Sequence, residues 1–577
     1  MRWFAAAVTV LIQGSLVIRP ASGGGLQTRL RGPHRAVKGT LSMQMAPGPA
    51  SVDPLLPPNA LKRPWCWSLE RERKRTILAL DGGGVRGIVA ACVLGVLEDE
   101  LRRQSNITDL TIGECFDVIA GTSTGAILAT YLSAYCGKNT EATTFPGTRI
   151  VLNGSAASAS EMYEAMADKI FPKVRLRSVR RPWVFVGPKH DADGLEKALQ
   201  AAMHPNCTTL EEFISATPKR PERGDWKGPT LFVTAYDMVF RRPVAFVGDR
   251  LRPKASFIRL DHFTFPYHDR ALAQGVPDYR WNLLWNRFQK LKNDPIIREV
   301  YGDAGNLTRL GDAELPLGLC RNKPETARYW WTKPDVELWE ICRCSTAAPT
   351  FFKPARIRNF FQRPPAPQKA ERTADLVACD GGIVANDPAM QALNYLYTQG
   401  KLFRLLLALG AEIVEEEEMS EKDKNFFAKH KDFFTNLTLA HHAVLSIGVG
   451  VSFREKGVEE AAKTHSAADW LGADKWNFRE AKGNIIDALM ASSSILAHFN
   501  LDVAFSNEGV PQQYLRVQCS ADKSGRSVGR APSHVYAALE KMDDPSSIPD
   551  LKKIGKALAE LYRPLIADFV DQYLLTP

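Results

Sequence analysis

Three apolar runs in this sequence end in glycine-rich turns, and the turns carry the residues that could do chemistry. TILALDGGGVRG occupies residues 76–87, GTSTG residues 121–125, and ACDGGIVANDP residues 378–388. They offer a serine (Ser123), an aspartate (Asp380) and many small neighbours. Glycines at such turns mean that backbone N–H groups approach something negative, without saying what. Gly82, Gly84 and Gly87 fit the G-x-G-x-x-G spacing of a dinucleotide loop, whereas GTSTG fits the G-x-S-x-G elbow that exposes a nucleophilic serine.

The two readings want different neighbours. A dinucleotide loop needs an acidic residue ending the next strand, about twenty positions on, to hold a ribose hydroxyl. Here that region is the helix end DELRRQSN, and the next strand ends in GTSTG, which disfavours the nucleotide reading. A serine attacking a carbonyl needs preorganised amide donors for the oxyanion, worth about 3–4 kcal/mol each. The DGGGVRG loop supplies them, with Gly83 and Gly84 turning amides inward and Arg86 adding charge or bracing the loop. Gly121, Thr122, Thr124 and Gly125 keep the elbow around Ser123 small enough for a helix to pack close behind it.

Such a serine also needs a base. Asp380 ends an apolar strand at the Gly381–Gly382 turn, where it either orients a histidine or takes the serine proton itself. The histidines near a strand, His441 and His442, precede VLSIGVG, face no catalytic turn and read as structural. A direct Ser123–Asp380 pair is preferred, and it requires partial desolvation of Asp380 so that its pKa rises toward working pH.

The elements that must position these turns alternate. The runs TILAL, CFDVIAG, TLFVTAYD (230–237), ADLVACD (374–380) and HAVLSIGVG (442–450) read as strands, and IVAACVLGVLEDELRRQ and AILATYLSAY as helices. This alternation predicts an α/β fold with a mainly parallel sheet covered on both faces. Segments 137–160, 172–192, 241–335 and 358–373 read as long irregular loops or insertions. The acidic run Glu415–Glu418 reads as a solvated helix face. The expected organisation is a targeting segment with a proline-rich linker over 1–60, a catalytic core over 76–450 with an insertion at 241–335, and a mostly helical extension over 451–577 packed on the core.

Bulk composition agrees with a globular protein: 45% of the 577 residues are hydrophobic and 24% charged. The net charge of +10 favours anionic surfaces only weakly, and no basic run is dense enough for a nucleic-acid tail. Ten cysteines do not make a disulfide framework in a chain this long, and Cys342–Cys344 lacks a second pair at zinc spacing, so no metal is expected. The start, MRWFAAAVTVLIQGSLVIRP, reads as a signal-peptide core, and the next stretch has no acidic residue before Asp53, like an organelle transit peptide. Secretory entry with a bipartite plastid address is one expectation; a secreted or endomembrane protein with a spacer is the other. Five N-x-S/T triplets, at Asn106, Asn153, Asn206, Asn306 and Asn436, fit secretory transit.

In this order the three turns resemble those of the patatin-like lipid acyl hydrolases, whose pattern is a D-G-G-G-x-R-G loop, a G-x-S-x-G elbow and a later D-G-G or D-G-A. The stretches STAAPTFF (345–352), LSIGVG (445–450) and YLRVQ (514–518) extend the similarity from Thr76 to the end. The resemblance implies a three-layer α/β/α fold, Ser123 as nucleophile, Asp380 as proton acceptor and Gly82, Gly83, Gly84 and Val85 as the oxyanion loop. It implies cofactor-free and metal-free hydrolysis of acyl esters in phospholipids, galactolipids or acylglycerols through an acyl-enzyme, with transient contact to a membrane surface. A storage or lipid-binding protein of the same fold is the alternative, which the intact serine, aspartate and glycines argue against. ANDP departs from the family's frequent A-N-N-P, a change expected to leave the chemistry alone. RLRSVRRPWVFVGPKH (175–190) reads as a surface loop with a composition suited to lipid headgroups, and PDYRWNLLWNRFQKL (277–291) as a packed helix.

Overall fold

The computed structural model describes residues 62–68, 73–135, 143–171, 188–203, 208–216, 226–239, 241–250, 254–259, 330–331, 336–362, 373–397, 438–452, 484–521, 538–539 and 542–576. The targeting segment, residues 175–187 of the basic–aromatic stretch, the run at 277–291, the acidic run at 415–418 and most of the 241–335 insertion lie outside them.

The strands are β1 (Arg75–Leu80), β2 (Val118–Thr122), a small hairpin β3 (Thr143–Thr144) and β4 (Val151–Leu152), then β5 (Thr230–Asp237), β6 (Arg242–Asp249), β7 (Lys254–Arg259), β8 (Trp330–Trp331), β9 (Ala355–Gln362), β10 (Thr373–Asp380), β11 (His442–Ile447), β12 (Val451–Ser452), β13 (Tyr514–Val517) and β14 (Ser520–Ala521). The helices are α1 (Gly87–Ser105), α2 (Thr124–Ala134), α3 (Ala156–Ile170), α4 (Ala192–Ala202), α5 (Leu210–Ser215), α6 (Leu338–Ser345), α7 (Gly382–Ala385), α8 (389–397), α9 (Asn484–Asn507) and α10 (Ile548–Phe569).

A parallel block β13-β11-β1-β2-β5 forms the heart of a ten-stranded mixed sheet. Its strands are uninterrupted apolar runs because both faces are covered: every residue of β1, β2 and β11 is buried. Alternate side chains split between two cores. Leu78, Leu80, Ile119 and Leu445 pack with α1, α2, α3 and α10, while Ile77, Ala79, Val118, Ala120 and Val444 pack with α8 and α9. The result is a three-layer α/β/α sandwich with a helical C-terminal part.

The far side of the sheet is antiparallel: β6 and β7 extend it beyond β5, and β10, β9 and β8 share the β2 edge of β5. These strands correct the expected loops. Residues 242–249, 254–259 and 330–331 of the insertion are sheet, as is 358–362, and 137–160 contains the β3–β4 hairpin and the start of α3. The missed strands begin with charged or proline-containing sequence (RRPVAFVGD, ARIRNFFQ), which reads as loop; β6 is buried from Val244 on, while β9 alternates buried Ala355, Ile357 and Phe360 with exposed residues. Beyond residue 450, β13 is a strand of the main sheet, and Leu61–Pro577 is one compact unit.

At the bottom of the parallel block, Arg73 and Asp117 make a buried two-pronged ion pair at 2.6 and 2.7 Å. Asp117 also accepts from the Thr76 N–H at 2.8 Å, tying the entries of β1 and β2 together. Removing one partner strands the other charge in a dry site, so Asp117→Ala should cost about 3–5 kcal/mol. Urea unfolding of the variant beside the parent measures it.

Candidate active site

All three glycine turns lie at the C-terminal ends of their strands. β2 lies along β5 with Thr122 opposite Thr234, and β10 runs the other way along the same edge with Asp380 opposite Ala235. The two C-terminal ends therefore face each other, which brings together residues 257 positions apart in the chain.

The Ser123 hydroxyl donates to Asp380 Oδ2 at 2.6 Å. Asp380 Oδ1 accepts from the Gly382 N–H at 2.7 Å, so the turn glycine orients the carboxylate. Both side chains are buried. Burial pushes the Asp380 carboxyl up to about 7, against the downward pull of its bonds to Ser123 and Gly382. Ser123 sits at φ 53°, ψ −121°, a conformation a side chain rarely adopts, and its own N–H is held by Ser345 Oγ at 2.8 Å. Such a residue carries strain of about 1–3 kcal/mol and persists only where its surroundings fix it. The elbow's glycines are part of that fixing: a Cβ on Gly121 would stand 2.3 Å from the Gly125 carbonyl oxygen, and one on Gly125 2.1 Å from that of Leu80.

The amides of the DGGGVRG loop are spent unevenly. Gly82, Gly83 and Val85 spend their N–H groups on Asn386 O (3.3 Å), Thr124 Oγ1 (3.1 Å) and Met542 O (2.8 Å). Among the described residues nothing accepts from the Gly84 N–H, which leaves it as the loop's available donor, beside the first amides of α2. Gly84 is at φ +60°, and a Cβ there would fall 2.0 Å from Met542 O. Arg86 lies under the loop as a brace, donating to Gly83 O at 3.1 Å and Leu539 O at 3.2 Å. Tyr163 O–H bonds the Gly84 carbonyl.

Ser123, Asp380 and Gly84 open onto a cavity walled by Ile127, Ile170, Phe171, Leu195, Phe351, Phe352, Met490 and Met542. Besides Ser123 and Asp380, Thr124 and Thr346 bring polar side chains to this largely apolar slot. His442 is far from it. It pairs with Arg75 at the opposite end of β1, stacks on Tyr397, and is pushed down to about 3 by burial and by Arg75.

A patatin-like phospholipase family model matches residues 78–393, more than half of the 577-residue chain. The chain belongs to the patatin-like phospholipase family. It is 24% identical over 496 residues to Patatin-like protein 2 of Oryza sativa subsp. indica, covering 85% of each chain. To Patatin-like protein 1 of Arabidopsis thaliana it is 24% identical over 459 residues, 79% of this chain and 76% of that one. It is also 23% identical over 336 residues, 58% of each chain, to an Arabidopsis thaliana protein named "Probable inactive patatin-like protein 9". Membership supports lipid acyl hydrolase activity in the broad sense.

Several side chains of this patatin-like site escaped sequence reasoning. Arg516 bonds both oxygens of Asp81 at 2.7 and 2.5 Å, and reaches Asp387 at 3.0 Å and Ser446 at 2.5 Å. Ser494 adds a bond to Asp81 at 3.1 Å. The network joins the first residue of the glycine loop, the aspartate of ANDP, LSIGVG and YLRVQ, so the ANDP departure supplies a buried charge partner. Burial raises Asp81 to about 6; Arg516 pulls it down and Asp387 pushes it back up. Only the motifs themselves hinted at these partners, and Tyr163 and Met542 had no signal at all.

Asp380 gives a stability test with a definite sign. Its folded pKa is raised, so its contribution to stability is fully present below the ordinary aspartate value of 3.8 and is lost as pH rises through about 7. Asp380→Asn keeps the shape without the charge, and should be more stable than the parent by a few kcal/mol at pH 8 and indistinguishable near pH 4. Urea midpoints at the two pH values decide it.

Proposed function

We propose that the chain is a lipid acyl hydrolase that opens acyl ester bonds of glycerolipids through a Ser123–Asp380 dyad. The 2.6 Å bond from the Ser123 hydroxyl to a desolvated carboxylate carries this reading. As Ser123 Oγ attacks the ester carbonyl carbon, its proton passes to Asp380 Oδ2. The carbonyl oxygen becomes an oxyanion held by the Gly84 N–H and the positive end of α2. Collapse breaks the ester C–O bond, and Asp380 returns its proton to the departing glyceride oxygen. The acyl group then sits on Ser123 with its chain in the apolar slot. Water, deprotonated by Asp380, attacks the acyl carbon, and the proton returns to Ser123 Oγ as the fatty acid leaves. A carboxylate with an ordinary pKa near 4 is a poor acceptor for a serine proton; burial narrows that mismatch.

Ser123→Ala should abolish fatty acid release from mixed phosphatidylcholine and galactolipid vesicles, and Asp380→Asn should cut it by about 10²–10⁴-fold. Mass spectrometry of the fatty acids and lyso-lipids reads both. Release by Ser123→Ala equal to the parent's would sink the Ser123 mechanism, and no release by either would favour a storage or lipid-binding role.

The base must be deprotonated to act, so kcat/KM of the parent should climb as pH rises through about 7 and level off above it, following the Asp380 carboxyl. A profile flat between pH 5 and 9 would contradict a carboxylate base of this kind.

A further inference from the structure

We infer that the outward face of α9 is a docking surface for an uncharged or zwitterionic lipid interface. Helix α9 has two apolar sides. Ile486, Met490, Leu501 and Phe505 point inward and are buried, and Met490 forms part of the cavity wall beside Ser123 and Asp380. On the other side Leu489, Ile495, Leu496, Phe499 and Val503 are 40%, 45%, 46%, 62% and 39% exposed. Five of the ten large apolar side chains exposed among the described residues are thus on one helix. Advancing about 100° per residue, these five share one arc with Ala488, Ser492, Ser506 and Asn507, an arc without an ionisable group. Asp487 and Asp502 are the helix's charged residues, and both lie off the arc.

A helix that is apolar all round belongs in a core or against lipid. The inner side of α9 is already committed to the core and the cavity, and by length and composition alone the helix could cross a bilayer. Lying in the interface with one face in the acyl boundary fits both facts. The choice of lipid as occupant rests on the reading of the site as a lipid hydrolase. It is supported by continuity, since Met490 on the cavity wall and Leu489 on the outward face are adjacent residues. Charge decides which lipid. Attraction to anionic headgroups runs through Lys and Arg near the surface, and α9 has neither. A neutral surface therefore matches the face, although the chain as a whole is basic.

The experiment uses the full chain as Ser123→Ala, so that bound lipid stays intact, with and without Leu496→Ser and Phe499→Ser. Vesicles of phosphatidylcholine and digalactosyldiacylglycerol are sedimented at low and high salt. Partition of the Ser123→Ala chain should be insensitive to salt, and the two added substitutions should lower it at least about tenfold. With Ser123 intact, the same two substitutions should leave hydrolysis of a short soluble ester unchanged and lower hydrolysis of vesicle lipid to a similar degree. Loss of partition without any ester hydrolysis in the parent would uphold the docking face while removing the hydrolase reading. Equal partition with and without the substitutions would overturn it, as would binding confined to anionic vesicles. A dimer in gel filtration that the substitutions convert to monomer, with vesicle binding unaltered, would assign the face to a second copy of the chain instead.

Discussion

Two strands running in opposite directions along one edge of β5 stop one residue short of each other, and the Ser123–Asp380 hydrogen bond lies at the gap between them. Thr122 ends its pairing opposite Thr234, and Asp380 ends its own opposite Ala235. The hydroxyls of Thr122 and Thr234 lie 2.6 Å apart, and Thr122 Oγ1 also donates to Ala385 O at 2.7 Å, which stitches the seam. A parallel partner could not do this, because parallel strands deliver their C-terminal ends side by side, one strand spacing apart. The antiparallel direction of β10 lets an acid at a strand end face a serine on the next residue beyond another strand end. The strained φ of Ser123 then aims the hydroxyl across the seam.

Charge is distributed around this seam unevenly. Asp81 and Asp387 share the Arg516 guanidinium and are held by hydroxyls and amides besides. Asp380 has only a serine hydroxyl and one glycine amide. All three are buried; burial pushes Asp380, which has no cation beside it, up to about 7, and Asp81, which has Arg516, to about 6. A buried carboxylate without a cation is pushed toward neutrality because burial disfavours its charged form. The cost is an unpaired carboxylate in an apolar site, and the sandwich around it has to tolerate that cost.

Much of this was legible in sequence where a hard steric or burial requirement forces residue type. The parallel strands could be read because burial on both faces demands unbroken apolar runs, and the elbow because Gly121 and Gly125 touch backbone atoms with no room for a side chain. Ser123 and Asp380 followed from their places at turn apices. The amide assignments could not be read. Whether Gly83 or Val85 keeps a free N–H depends on Thr124 and Met542, and Met542 arrives from more than 450 positions away. Strands β6 and β9 were missed because RRPVAFVGD opens with two arginines and a proline and ARIRNFFQ interleaves polar residues with apolar ones. The partner of Asp387 could not be read, because Arg516 is contributed by a distant strand.

The C-terminal quarter is therefore part of the site and not an appendage. The family match spans residues 78–393, but the amide of Val85, the guanidinium of Arg86 and the carboxylate of Asp81 are all satisfied by residues beyond that span: Met542, Leu539 and Arg516. Without those partners the glycine loop would hold three unmet buried groups, each costing about 1–3 kcal/mol or more for charged ones. A loop this rich in glycine has little stiffness of its own. Its rigidity is supplied from outside, by a carbonyl that fits where no side chain could, since Met542 O occupies the space a Cβ on Gly84 would need. Glycine at that position is thus required twice, once for its φ and once to admit the carbonyl that fixes the turn.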